Sequence, residues 1–266
     1  MSANPILRTA LWLTDRFYAV IPRRVPSSDA LRRCKIISHR GEHDNVTVFE
    51  NTIKAFEIAH NAGAWGLETD IRWTRDLVPM VAHDPDTKRV FGKDLLLADT
   101  NFQELRNAIP DIPTLEEFVL RFGGKSHLMI EIKDEVFPDL EKQKSILGRI
   151  LSGLAPRSDY HLLALDPALF DTFDIVSTDA FLPVATLNYK VLSDQALSRG
   201  YAGISGHFLV LSDVMKNRHF NAGQMFGTGF PTSKNALYRE LNRGVEHVFT
   251  NDAVKLLRVI EKALER

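Results

Sequence analysis

The sequence predicts one α/β domain, a TIM-type (β/α)8 barrel with a β-hairpin excursion after its second strand, and three observations carry that prediction. Eight apolar, strand-like runs alternate with helix-like stretches, the order expected of a parallel sheet built from βαβ units. The 266 residues contain no repeat and no Gly/Ser- or Pro-rich linker, and one barrel commonly takes ~200–250 residues. A further short run, Pro79–His83, begins only eight residues after Ile71, whereas a crossover to a parallel strand needs about a dozen or more. A doubly wound open sheet is the alternative with the same alternation.

The first strand is Lys35–Ser38, followed by a helix-like stretch over Asn51–Ala62. The second, Trp65–Ile71, runs into Arg72–Val78, a connection that suits a hairpin and returns as Pro79–His83 over the mouth of the barrel. The helix Thr114–Phe122 leads to the strand Leu128–Ile132, and Pro138–Leu151 leads to His161–Leu165. Pro167–Phe173, Ser193–Arg199, Leu211–Asn221 and Lys234–Asn242 then precede the strands Pro183–Leu187, Tyr201–Ser205, Gln224–Gly227 and Glu246–Thr250. Ala253–Leu264 closes the series as a helix.

Hydrophobic residues make up 44% and charged residues 25%, a composition of soluble globular chains rather than disordered or fibrous ones. With 33 Lys+Arg against 34 Asp+Glu, nothing points to a nucleic-acid partner. The single cysteine, Cys34, rules out an intramolecular disulfide and fits a reducing compartment, so a cytoplasmic location is expected. Residues 1–30 read as a leader and 31–266 as the barrel domain. In the leader, Ile6, Leu7, Ala10, Leu11, Phe17, Tyr18 and Ile21 share one helical face, while Arg8, Asp15 and Arg16 interrupt the rest. Those charges argue against a secretory signal, and no apolar run reaches the ~18 residues of a membrane span. The expected roles are a helix packed across one end of the barrel, or a weak peripheral membrane contact through residues 1–21.

The chemistry begins at Gly66-Leu67-Glu68-Thr69-Asp70-Ile71. Side chains alternate along a strand, so Glu68 and Asp70 share a face, and the same arithmetic pairs Glu131 with Lys133 in Met129-Ile130-Glu131-Ile132-Lys133. Two carboxylates on one face of a core strand repel unless a cation lies between them. Three carboxylates from two strands suit a hard divalent cation, Mg²⁺ or Ca²⁺, and Lys133 adds a fixed positive charge. A buried Glu–Lys ion pair beside a solvated Asp is the plain alternative. His39-Arg40-Gly41 ends the first strand, where barrel residues face the active site, and joins an acid/base to a guanidinium that can grip two phosphate oxygens. His83-Asp84 closes the hairpin strand with a second imidazole. Two imidazoles, a cation site, an arginine and a lysine around one cavity are what phosphodiester cleavage requires.

The series His39-Arg40-Gly41, Glu50-Asn51-Thr52, Glu68-x-Asp70, His83-Asp84 and Glu131-x-Lys133 resembles the glycerophosphodiester phosphodiesterases. The resemblance continues through Ile112-Pro113-Thr114-Leu115-Glu116-Glu117 and Val248-Phe249-Thr250-Asn251-Asp252, with dense motifs up to Lys133 and sparse ones after it. It implies a TIM-type barrel and metal-dependent hydrolysis of a glycerophosphodiester to glycerol 3-phosphate and an alcohol. The substrate is then a small-molecule or lipid-derived phosphodiester. By position, Glu68, Asp70 and Glu131 would hold one divalent cation, Mg²⁺ or Ca²⁺, His39 and His83 would be the acid/base pair, and Arg40 and Lys133 would bind phosphate. Glu50 would orient these groups, although Glu50-Asn51-Thr52 also reads as a helix start. Three departures from the family pattern stand out. Phe49 replaces the usual proline after a lengthened loop containing His43, Ala164-Leu165 replaces a Ser-Phe pair, and Phe226-Gly227-Thr228-Gly229-Phe230 replaces a Trp-Thr-Val-Asn segment. These late changes leave open a lipid-directed, lysophospholipase D-like activity, or a barrel that binds without turnover.

Overall fold

The computed structural model describes residues 16–265, so residues 1–15 of the expected leader lie outside the described residues. Eight parallel strands close on themselves: β1 (Lys35–His39), β2 (Gly66–Trp73), β4 (His127–Ile132), β5 (Tyr160–Ala164), β6 (Phe181–Ala185), β7 (Gly203–His207), β8 (Met225–Gly229) and β9 (His247–Thr250). β1 pairs with both β2 and β9, which closes the barrel. The short strand β3 (Pro79–Val81) pairs antiparallel with the outer end of β2, Ile71 opposite Val81 and Trp73 opposite Pro79. The hairpin excursion is therefore present, and the open-sheet alternative is excluded by closure.

Strand periodicity sorts the apolar residues into layers. Ile37, Met129, Leu163, Leu182 and Phe249 plug the barrel interior. Leu67, Ile71, Ile130 and Ile132 face outward onto Phe56, Phe118 and Phe122, while Ile36, Ile204, Phe226 and Val248 meet Leu192, Leu237, Leu256 and Ile260. Burial of this kind stabilises by ~25 cal/mol per Å² of apolar surface, so most of these positions are set by packing rather than by chemistry. The helix Leu115–Phe122 starts on a capping box in which Thr114 Oγ1 accepts from Glu117 N and the Glu117 carboxylate accepts from Thr114 N.

The structure shifts several late boundaries. β6 spans Phe181–Ala185 rather than Pro183–Leu187, and Leu187 is 74% exposed in the following loop. β7 spans Gly203–His207 rather than Tyr201–Ser205; Tyr201 instead packs outside the barrel against Phe170 and Phe181. A strand buried on both faces shows no alternation, so an apolar run alone does not fix its ends. Beyond β3 the excursion carries the unanticipated short helical segments Lys88–Phe91, Leu97–Asp99 and Phe102–Ala108, seated on a small core of Met80, Leu97, Leu105, Ile109 and Ile112. Residues 16–20 are helical, with the Tyr18 ring edge-on to Phe208 at 5.6 Å and Ala19 O accepting from Asn235 Nδ2 at 2.7 Å. Among the described residues no helix is long and apolar enough to cross a membrane.

Candidate active site

Register brings the charged residues together. β1 and β2 place His39 opposite Glu68, and β2 and β4 place Asp70 opposite Glu131. Alternation then turns Glu68, Asp70, Glu131 and Lys133 into the mouth of the barrel, where all four are buried. One oxygen from each of Glu68, Asp70 and Glu131 lies within 4.8 Å of the others. Lys133 Nζ is 2.6 Å from Asp70 Oδ1 and also bonds Glu131 Oε1.

After His39 the chain bends sharply. Arg40 sits at φ 59° and Gly41 at φ 77°, and a Cβ on Gly41 would lie 2.6 Å from the Ala55 carbonyl carbon, so only glycine fits. The bend sends Arg40 across the cluster, with Nε 3.1 Å from Asp70 Oδ2 and Nη1 donating to Glu50 Oε1 at 3.0 Å. The hairpin delivers His83: Ala82 N donates to Asp70 O at 3.0 Å, and Arg72 Nε donates to His83 O at 2.7 Å.

Charge is unevenly distributed. Burial alone would raise the Asp70 carboxyl, but Arg40 and Lys133 beside it hold it far below the usual carboxylate range. Glu68 goes the other way: burial, then the charges of Asp70 and Glu131, push it well above that range. Burial likewise raises Glu131, against the pull of Lys133. Three buried carboxylates, two of which resist ionising, form an all-oxygen donor set that fits one divalent cation, since a cation can take the place of the protons they would otherwise keep. His39 is driven down to about 3 by burial and by Arg40, and burial also lowers His83. Burial thus disfavours the charged form of both rings, and each is anchored at Nδ1: His39 2.6 Å from Asn251 Oδ1, His83 2.7 Å from Asp84 Oδ1.

Glu50-Asn51-Thr52 both starts a helix and hydrogen-bonds into the charged cluster. Thr52 Oγ1 accepts from Ala55 N as the cap of helix Ile53–Asn61. Asn51, at φ 57°, donates to Asp70 Oδ2 at 3.0 Å and accepts from Thr69 Oγ1 at 3.1 Å. Glu50 accepts from Arg40, from Asn45 at 2.7 Å, and from both Nη atoms of Arg89 at 2.9 and 2.7 Å. Burial opposes its ionisation, yet Arg89 and Arg40 keep it well below the usual range. His43 lies beside Glu50, its Nδ1 2.9 Å from Gly41 O, and takes no place in the carboxylate group.

Arg89 was not foreshadowed by any motif. It stands in the excursion, clamps Glu50 and bonds Asp84, which in turn holds His83. Replacing Arg89 by alanine is expected to lower kcat on a diester substrate ~10–100-fold, the usual cost of removing such an orienting partner. Lysine should not restore the rate, because an ammonium cannot span both carboxylates as the guanidinium fork does. Steady-state kinetics of the two variants check this, and an Arg89→Ala enzyme with unchanged kcat would remove the role.

The late strands furnish the other half of the mouth. Leu163, Val184, Phe230 and Phe249 form an apolar wall with the bare backbones of Gly206 and Gly229, and Ser205 is its polar side chain. A Cβ on Gly227 would lie 2.8 Å from the Phe249 ring, so that ring occupies the room of a larger residue there. A larger cavity, about 710 Å³, lies at the opposite end, lined by Lys35, Trp65, His127, His161 and His247. Its histidines are engaged with their neighbours: Trp65 stacks on His127, whose Nε2 is 2.7 Å from His161 Nδ1. Barrel chemistry belongs to the carboxyl ends of the strands, so the charged mouth, not this larger hollow, is the candidate site.

Residues 39–154 match the glycerophosphoryl diester phosphodiesterase family, a stretch that contains every predicted site residue. Glycerophosphodiester phosphodiesterase 1 of Rattus norvegicus is 37% identical over 134 residues, covering 43% of this chain and 39% of that protein. The match thus spans about two fifths of the curated relative's length. Glycerophosphodiester phosphodiesterase from Thermotoga maritima superposes with a TM-score of 0.73 at 20% identity, covering 85% of this chain and 98% of that one. A phosphodiesterase from Oleispira antarctica, solved in complex with the product sn-glycerol-3-phosphate, gives a TM-score of 0.70 at 20% identity over 87% of this chain and 97% of that one. At such identities the two structures speak for the fold.

Proposed function

Because the chain belongs to the glycerophosphoryl diester phosphodiesterase family through residues 39–154, we propose that it hydrolyses glycerophosphodiesters to glycerol 3-phosphate and an alcohol. The observation that carries this reading is the cross-strand cluster of Glu68, Asp70 and Glu131 beside two imidazoles, each fixed at Nδ1. One imidazole takes the proton of the attacking oxygen, and the other protonates the departing alcohol oxygen as the P–O bond breaks. Arg40 and Lys133, already oriented by Asp70, face the non-bridging oxygens and bind the phosphate. Glu68, Asp70 and Glu131 would hold one Mg²⁺ or Ca²⁺, which supplies neutralisation of phosphate charge.

A lipid-derived diester is the second reading, favoured by the apolar wall of Leu163, Val184, Phe230 and Phe249 and by Leu165, which is 47% exposed two residues beyond Leu163. One assay weighs both. The protein should release glycerol phosphate from glycerophosphocholine, lose that activity to chelator, and regain it with Mg²⁺ or Ca²⁺. Lysophosphatidylcholine cleaved faster than glycerophosphocholine would favour the lipid reading. Turnover that ignores chelator, or none on either substrate, would refute the proposal.

A further inference from the structure

We infer that Asn251 is a positioning residue that fixes His39 in the Nδ1–H tautomer, so that its bare Nε2 faces the carboxylate cluster. The role in turnover rests on the proposed hydrolytic reading; the tautomer itself does not.

The imidazole of His39 is held on two sides and open on a third. Asn251 Oδ1 lies 2.6 Å from Nδ1, a short contact to an acceptor that requires the ring to donate there. The Phe230 ring packs T-shaped against the imidazole at a centroid distance of 4.9 Å and an interplanar angle of 84°. Nε2 is 3.8 Å from Glu68 Oε2, too long for a hydrogen bond and open towards the cation ligands and the phosphate-binding Arg40. A neutral ring carries one proton, so donation from Nδ1 leaves a lone pair at Nε2, the state a proton acceptor needs.

Both restraints come from the late half of the barrel. Asn251 follows β9, and Phe230 follows β8 with its N–H donating to Phe249 O at 2.8 Å while its backbone holds φ 72°. Positive φ is strained for an aromatic residue, and here it turns the ring onto His39. The late strands, poor in motifs, therefore act on the reacting centre by orienting one imidazole.

The full chain labelled with ¹⁵N-histidine tests this, with His39 assigned through the signal lost in His39→Gln. Long-range ¹H–¹⁵N spectra should show His39 protonated at Nδ1 and bare at Nε2. In Asn251→Ala the two tautomers should mix. Asn251→Asp, which still accepts from Nδ1, should keep the wild-type pattern. On glycerophosphocholine, Asn251→Ala should lower kcat ~10–100-fold with KM within about twofold, and Asn251→Asp should recover most of that loss. A wild-type His39 protonated at Nε2, or an Asn251→Ala protein with unaltered tautomer and kcat, would overturn the inference. A wild-type protein that shows the tautomer pattern but no diesterase turnover would instead remove the hydrolytic reading and leave the assignment of the tautomer standing.

Discussion

Changing His83 to alanine is expected to reduce kcat on a glycerophosphodiester by ~10²–10⁴-fold, the range for loss of a general acid or base. The fold should be untouched, because the side chain is 33% exposed and its excursion is anchored by the backbone, through Ala82 to Asp70 and Arg72 to His83 O. KM should change little, since the proposed phosphate contacts fall to Arg40 and Lys133. Asp84, paired at 2.7 Å with His83 Nδ1 and bonded to Arg89, orients the ring but cannot replace its proton. Progress curves at matched protein concentration, alongside a thermal melt, make the measurement. A His83→Ala enzyme with the wild-type rate would discard the two-histidine mechanism.

Asp70→Asn should produce the largest loss of stability, about 3 kcal/mol near neutral pH, the lower end of the range for breaking a buried ion pair. The substitution keeps the shape and removes the charge that Arg40 and Lys133 both face. Those two cations keep partners in Glu50 and Glu131, and Glu68 loses a repelling neighbour, which limits the damage. The sign with pH is fixed by Asp70's folded-state acidity. Its carboxyl is held far below the unfolded value of roughly 3.9, so its stabilisation is fully present above that value and fades as pH falls through the folded one. Urea unfolding of wild type and variant should therefore show a gap that is constant at neutral pH and narrows below about pH 4. The variant should also lose binding of Mg²⁺ or Ca²⁺, because a neutral amide is a weaker donor to a hard cation. A gap unchanged in acid would mean that Asp70 is not the ionised anchor of the site.

A parallel α/β sheet, the hairpin and the carboxylate group were legible in the sequence, whereas closure into a barrel rather than an open sheet was visible only in the pairing of β1 with both β2 and β9. The hairpin and the carboxylate group follow from short-range arithmetic: alternation puts Glu68 and Asp70, or Glu131 and Lys133, on one face, and the seven residues between Ile71 and Pro79 leave room only for a turn. Tertiary structure alone decided the rest. The ends of β6 and β7 depend on how the sheet closes, because strands buried on both faces carry no alternation to read. Arg89, Asn51 and Asn251 reach the site from loops or a short helix, where no period links sequence position to direction. Their partners lie 39 residues away for Arg89 and Glu50, 19 for Asn51 and Asp70, and 212 for Asn251 and His39. The last of these pairings is set when the barrel closes and brings its first and last strands side by side, a long-range event that no local pattern encodes.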